Sequence, residues 1–235
     1  MSRFRRALMS RMNERFELVH HWSGEDTLVS GKLLDRVRNI PDVVPLDFVA
    51  QKVIHKGTYY EFLYNGMYFT VPTGTAGLSN MPLGKYWKIV GVFGLNADAP
   101  IGTSGHRSVW LADFGSVTQT DDNSAATGMC IRENTYTTNG KYYSNFASPN
   151  HPKTSVYSVP ETITFEVGVC PRGYIGCEYI KVNGAYAEGE PFVPMAAGSE
   201  VKFANYGLFI GRPVSVNYDT NAIKRFYDLK IYRRR

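Results

Sequence analysis

The chain has 235 residues, 43% of them hydrophobic and 20% charged, with a formal net charge of +5. That composition excludes wholesale disorder, and the length suits one large β domain able to bury about 70% of its unfolded surface. No run approaches the ~20 apolar residues a bilayer-spanning helix needs, and 16 tyrosines with 22 glycines favour short strands joined by many tight turns.

Residues 1–15 form a basic arm. Arg3, Arg5, Arg6, Arg11 and Arg15 stand against Glu14 alone. Phe4, Ala7, Leu8, Met12 and Phe16 recur at spacings of three and four, which lines them along one side of a helix. An isolated helix this short is marginal in water, so the arm is expected to order against a partner surface. Its partner-binding residues are Arg3, Phe4, Arg5, Arg6, Leu8, Arg11, Met12 and Arg15. Arg11 and Arg15 interrupt the region where the apolar core of an export signal would lie, so a protein made and kept in the cytoplasm is expected.

From Phe16 the helical period stops. Strands are expected at Phe16–Trp22, Lys32–Arg38 and Leu46–Ile54, with Pro41 and Pro45 as separators. The strongest hairpin signal is Tyr59–Tyr64, Asn65-Gly66, Met67–Val71, because Asn-Gly supplies the positive φ angles of a type I′ turn. Pro72–Gly84 reads as a loop, Tyr86–Leu95 and His106–Phe114 as core strands, and Gly115–Ala126 as an exposed loop. Met129–Arg132 and Lys141–Phe146 are weaker strands around Asn139-Gly140, and Ser148–Pro160 reads as a loop. In Thr162–Cys170, Ile163, Phe165, Val167 and Val169 fall on one face, the period-two signature of a half-buried strand. Ile175–Val182 should pair with the segment after Asn183-Gly184, and Val201–Ala204, Leu208–Ile210 and Phe226–Tyr232 complete the set. With no βαβ spacing and no fixed-period repeat, the chain reads as one domain over residues 16–235 whose C-terminal end is basic. Lys224, Arg225, Lys230, Arg233, Arg234 and Arg235 there face only Asp228, so the body between the two basic ends is mildly acidic.

Cys130, Cys170 and Cys177 are too few and too irregular for a zinc site or a disulfide scaffold. A Cys170–Cys177 bridge needs their strands to form a hairpin, and a reducing cytoplasm opposes it. The five histidines show no helical H-x-x-x-H spacing, and no G-x-S-x-G, P-loop or G-x-G-x-x-G occurs. Asp121-Asp122-Asn123 and Glu25-Asp26 are the loop carboxylates from which a calcium site could be drawn, but they lack EF-hand spacing. Tyr59, Tyr60, Trp110, Tyr142 and Tyr143 are the aromatics that could stack on sugar rings, and core or interface packing is the competing role.

Four stretches of the second half carry a family resemblance. Thr162–Val169 (TITFEVGV) resembles the strand before the central hairpin of concanavalin A-like and laminin-G-like jelly rolls. Tyr179–Gly184 (YIKVNG) is similar to that family's V-Y-V-N-G strand and turn. Leu208–Arg212 (LFIGR) and Phe226–Tyr232 (FYDLKIY) resemble its L-x-I-G and closing D-V-R-I-Y strands, and Leu18–Trp22 with Leu34-Asp35 resemble its first strand and W-x-D region. The resemblance implies an all-β, antiparallel two-sheet jelly-roll sandwich preceded by the short basic arm. Glucanases on this fold carry E-x-D-x-x-E, whose carboxylates share one face at about the separation retaining hydrolysis needs. That pattern is absent, and Glu161, Glu166, Glu188 and Glu190 do not reproduce it. The opening MSRFRR resembles the start of many proteins of gut Bacteroidales and their crAss-like phages.

Together these readings give the expectation of a non-enzymatic virion protein, capsid-decorating or part of a head fibre, assembled in the host cytoplasm. Its expected partners are capsid or other virion proteins, or a second copy of the chain, and neither membrane nor nucleic acid. No catalytic residue, metal or cofactor is assigned. The alternative reading is a lectin-like module that binds a glycan.

Overall fold

The computed structural model describes residues 16–46, 53–63, 68–71, 86–95, 108–113, 128–133, 140–145, 153–156, 162–172, 175–186, 192–194, 208–210 and 223–234. The basic arm, residues 1–15, lies outside them. The described elements are all strands: β1 (Phe16–Ser23), β2 (Leu33–Asp35), β3 (Ile40–Leu46), β4 (Val53–His55), β5 (Tyr60–Phe62), β6 (Tyr68–Val71), β7 (Trp87–Leu95), β8 (Ser108–Asp113) and β9 (Gly128–Glu133). There follow β10 (Gly140–Asn145), β11 (Lys153–Val156), β12 (Thr162–Arg172), β13 (Ile175–Val182), β14 (Ala185–Tyr186), β15 (Phe192–Pro194), β16 (Leu208–Ile210) and β17 (Ile223–Arg234).

They pair into two sheets in which every ladder is antiparallel. The first runs β14-β13-β12-β7-β17-β5-β4, with β1 also on β17 and β15 also on β13; the second runs β11-β10-β9-β8-β16-β6-β3-β2. β17 is the spine of the first sheet. One of its edges pairs with β7 from Ile223 to Arg233, while the other is shared end to end by β5, at Arg225 and Phe226, and β1, from Asp228 to Arg234.

The period-two reading of Thr162–Cys170 holds. Ile163, Phe165, Val167 and Val169 are buried, opposite Phe93, Gly91, Ile89 and Trp87 of β7. Phe226, Leu229 and Ile231 of β17 and Trp22 of β1 continue the same inner face. Phe69 of the second sheet meets Tyr60, Phe62 and Phe226 of the first with ring centroids 5.3, 5.3 and 5.4 Å apart, in the edge-on geometry that ring quadrupoles favour. Leu33 and Ile210 are fully buried as well. The core therefore lies between inner faces of the two sheets.

A β-bulge sets the phase of β1. The register with β17 shifts between Leu18 and His20, so Leu18 opposes Tyr232 while His20 and Trp22 oppose Ile231 and Leu229. The inserted Val19 turns His20 and Trp22 into the core and His21 to the outer face; without it every later side chain of the strand would change sides.

Asn183 and Gly184 have φ of 50° and 83°, and Val182 pairs Ala185 across them, the two-residue type I′ hairpin expected there. The hairpin expected at Asn65-Gly66 does not form. β5 and β6 flank that dipeptide but lie in different sheets, β5 against β17 and β4, β6 against β16 and β3. The alternating aromatics that suggested pairing are real, but Phe62 and Phe69 meet across the core. Pro41 and Pro45 do not separate strands; both lie within β3. Among the described residues, Pro41 lies in the stretch that pairs only with β2 and Pro45 in the stretch that pairs only with β6, so at each proline one side of the strand carries no described ladder. The segment 46–54 is not one strand, since β3 ends at Leu46 and β4 begins at Val53. Within the expected loop 148–160, β11 pairs with β10. The loops 72–84 and 115–126 and the strand 201–204 lie outside the described residues.

Candidate functional site

The outer face of the first sheet collects charged and aromatic side chains that the register brings into rows. One row crosses five strands as Lys181, Glu166, Val90, Lys230 and His21. The neighbouring row is Tyr179, Gly168, Lys88, Tyr232 and Leu18. Their opposite pleats carry the core, so this face is free to differ chemically from it.

At the β13 side of this face the rows end in an aromatic cluster. Tyr179 donates its hydroxyl proton to Glu166 Oε1 at 2.8 Å, and Lys181 Nζ lies 3.5 Å from the same oxygen. The ammonium also sits 4.5 Å from the Tyr186 ring centroid and 5.8 Å from that of Tyr179. Phe192 of β15 packs 5.0 Å from Tyr186, and the Arg172 guanidinium caps it at 4.7 Å. Tyr179 is buried beneath the cluster, whereas Tyr186 is 47% exposed. Burial, then the carboxylate of Glu166, pushes the Tyr179 phenol far above its ordinary range, so it stays a proton donor and fixes the carboxylate's orientation.

Three other groups occupy the same face. Lys88 Nζ lies over Tyr232 at 4.8 Å and over Phe16 at 5.4 Å. Asp228 joins its neighbours His21, 2.6 Å from His21 Nε2 to Oδ1, and Lys230. Tyr59 packs against Tyr227 at 5.1 Å, with Arg225 5.4 Å over its ring.

Of the aromatics singled out for sugar stacking, Tyr60 is buried in the core and its hydroxyl donates to the Asp26 carbonyl at 2.6 Å. Tyr59 lies half-buried on the outer face. The side chains of Trp110, Tyr142 and Tyr143 lie outside the described residues, as do Glu161, Glu188, Glu190, Asp121 and Asp122. Glu166, which completes no catalytic carboxylate pattern, is largely covered and anchors the cluster. Glu25 and Asp26, candidates for calcium, instead receive Arg36. Its Nε and Nη2 each lie 2.8 Å from an Asp26 oxygen and Nη2 lies 3.1 Å from Glu25 Oε2, a fork geometry that suits carboxylates.

Among the described residues, the inner face holds a polar pair, His20 with Asp35, that the sequence did not single out for chemistry. His20 Nδ1 lies 2.5 Å from Asp35 Oδ2, both groups are buried, and His20 stacks on Trp22 with centroids 5.2 Å apart. Asp35 Oδ1 accepts from the backbone N–H of His21 at 3.1 Å and of Val37 at 3.0 Å. The pair fastens the turn after β2 to β1, a structural task.

No protein-family model matches the chain, and no curated protein matches it. Solved structures do. The chain is similar to the Trypanosoma rangeli sialidase in complex with sialic acid, at 15% identity and a TM-score of 0.56 over 93% of this chain and 31% of that one. It is similar to the same organism's sialidase in complex with 2,3-difluorosialic acid, a covalent intermediate, at 12% identity and a TM-score of 0.58 over 93% and 30%. The chain thus spans under a third of the length of those proteins. At these identities the likeness is one of fold. It corrects the expectation that the chain is not an enzyme: the same arrangement of strands forms part of enzymes, and the missing E-x-D-x-x-E excludes one carboxylate pattern rather than catalysis.

Proposed function

We propose that the chain is a glycan-binding, lectin-like domain, a jelly-roll sandwich of concanavalin A-like type whose outer face on the first sheet takes the sugar. The observation that carries this reading is the cluster of Tyr179, Tyr186 and Phe192 with Lys181, Arg172 and Glu166. Tyr186 offers an exposed, flat apolar ring to the C–H face of a sugar, at low entropic cost because the ring is braced by Phe192 and Lys181. Glu166 supplies an oriented acceptor for hydroxyl groups, while Lys181 and Arg172 supply donors and positive charge. The sialidase structures named above hold sialic acid and a fluorinated sialic acid, which makes sialosides the first ligands to try. The virion role expected from the sequence draws no support from the fold or from this face.

The test is a glycan array followed by calorimetry on the best ligand. Tyr186→Ala should weaken binding about 30-fold, the loss of ~2 kcal/mol typical of a central aromatic contact, with the melting temperature unchanged. Binding that survives Tyr186→Ala and Lys181→Ala undiminished would remove this face as the site.

A further inference from the structure

The two cysteines of β12 and β13 stand in a relation their sequence spacing does not reveal. Cys170 and Cys177 are direct partners in the antiparallel ladder, on the outer face two residues beyond Gly168 and Tyr179. Both are thiols in this structure, Cys170 half-buried and Cys177 buried. The amide of Asn183 donates to the Thr164 carbonyl at 2.8 Å, and the register runs from there to Arg172 without a shift. Every second pair from Thr164 and Asn183, Cys170 with Cys177 included, is therefore of the hydrogen-bonded kind, whose Cα atoms stand about 5.5 Å apart. That Cα separation lies within the disulfide range, and both side chains project from one face. The Cβ atoms of such a pair, however, stand at the wide end of about 4.5–5.5 Å, against about 3.5–4.5 Å in a relaxed bridge. Closure therefore pulls the two strands together and leaves the bond strained.

We infer that Cys170 and Cys177 form a reversible cross-strand disulfide, a redox site in the hairpin that carries the aromatic cluster. The oxidant class is a small disulfide such as oxidised glutathione. Cys170, the more accessible sulfur, attacks one glutathione sulfur as its thiolate. The glutathione S–S bond breaks, and one glutathione leaves as a thiolate that takes up a proton. Cys177 then attacks Cys170 Sγ as its thiolate, forming the protein S–S bond and releasing the second glutathione. Two protein thiols are oxidised by two electrons, and one glutathione disulfide is reduced to two thiols. Cys177 is the second nucleophile because burial raises its thiol above the ordinary range, an effect that nearby Arg172 only partly offsets. The ladder holds the two backbones on both sides of the pair, so the bridge cannot relax them freely and is easily reduced again.

The experiment uses the folded full chain with Cys130→Ser, incubated with oxidised glutathione, then alkylated and cut with trypsin. Cleavage after Arg172 separates the two cysteines into different peptides, so only the bridge can hold them together. The expected result is a linked pair that lacks two hydrogens and is parted by reductant. A Cys177→Ser chain should instead collect glutathione on Cys170, and a Cys170→Ser chain should resist modification. Unmodified thiols in the Cys130→Ser chain, or a reaction that halts at the glutathione adduct of Cys170, would overturn the inference. Faster modification of Cys170→Ser than of Cys177→Ser would overturn the order of attack. Circular dichroism on both serine variants checks their fold, and the linkage map of the parent does not depend on them.

Discussion

Removing the Asp35 carboxylate should be among the most damaging single changes in the described part of the chain. The group is fully buried, lies 2.5 Å from His20 Nδ1 and accepts the amides of His21 and Val37. Asp35→Ala breaks all three contacts and leaves His20 buried without its partner, which costs about 3–5 kcal/mol. Asp35→Asn keeps an oxygen for the two amides and loses the charge-assisted bond to His20, about 1.5–3 kcal/mol. Burial alone would raise the acid's pKa, but the hydrogen bond and charge of His20, with the amides of His21 and Val37, outweigh it and hold the group below its ordinary 3.8. A carboxyl depressed in the folded state adds stability above its unfolded pKa and loses that stability as pH falls through its folded one. The gap between wild type and Asp35→Asn should therefore be full at neutral pH and narrow below about 3.8. Urea denaturation followed by tryptophan fluorescence, at neutral and at acid pH, measures both quantities. A cost under ~1 kcal/mol for Asp35→Ala at neutral pH, within the range of an exposed pair, would refute the reasoning.

Other outcomes are fixed by single contacts. Gly24→Ala should destabilise the fold by more than ~1 kcal/mol, because an added Cβ would lie 2.6 Å from the Phe226 carbonyl and 2.9 Å from Tyr59 Cα, backbone atoms that cannot swing away. Thermal melting reads this, and an unchanged midpoint would show that the approach relaxes. Burial, then the charge of Asp26, raises the Tyr60 phenol from 10.0 to about 12. Stability should accordingly fall as pH rises across that interval, and Tyr60→Phe should reduce the slope in alkaline denaturation while costing ~1 kcal/mol at neutral pH. Arg36→Ala should cost under ~1 kcal/mol in urea, since its fork to Asp26 and Glu25 is solvent-exposed and screened by salt.

What could be read from the sequence was what a single segment decides. Thr162–Val169 shows its buried face because period-two alternation is local, and Asn183-Gly184 declares its turn because only a few residues tolerate two positive φ angles in succession. The same logic failed at Asn65-Gly66, because the pattern fixes strand character and not which sheet a strand joins. The prolines of β3 misled for a related reason: their cost depends on whether a neighbour occupies the side they face. The aromatic cluster was out of reach, since Glu166, Lys181, Tyr186 and Phe192 come from four strands and meet only through register. Its one local signal is the alternation that puts Tyr179 and Lys181 on one face of β13.

The position of β17 bears on how the chain reaches this state. β7 has β12 on one side and β17 on the other, and β1 and β5 both hang on β17. During synthesis, the middle of the first sheet stays open until residues 223–234 have left the ribosome. Until then β7 offers an unpaired edge, and β1, made before the other described strands, has no ladder among them to join. Closure of this sheet is thus a late, long-range event, which predisposes the nascent chain to slow folding and to chaperone capture before β17 arrives.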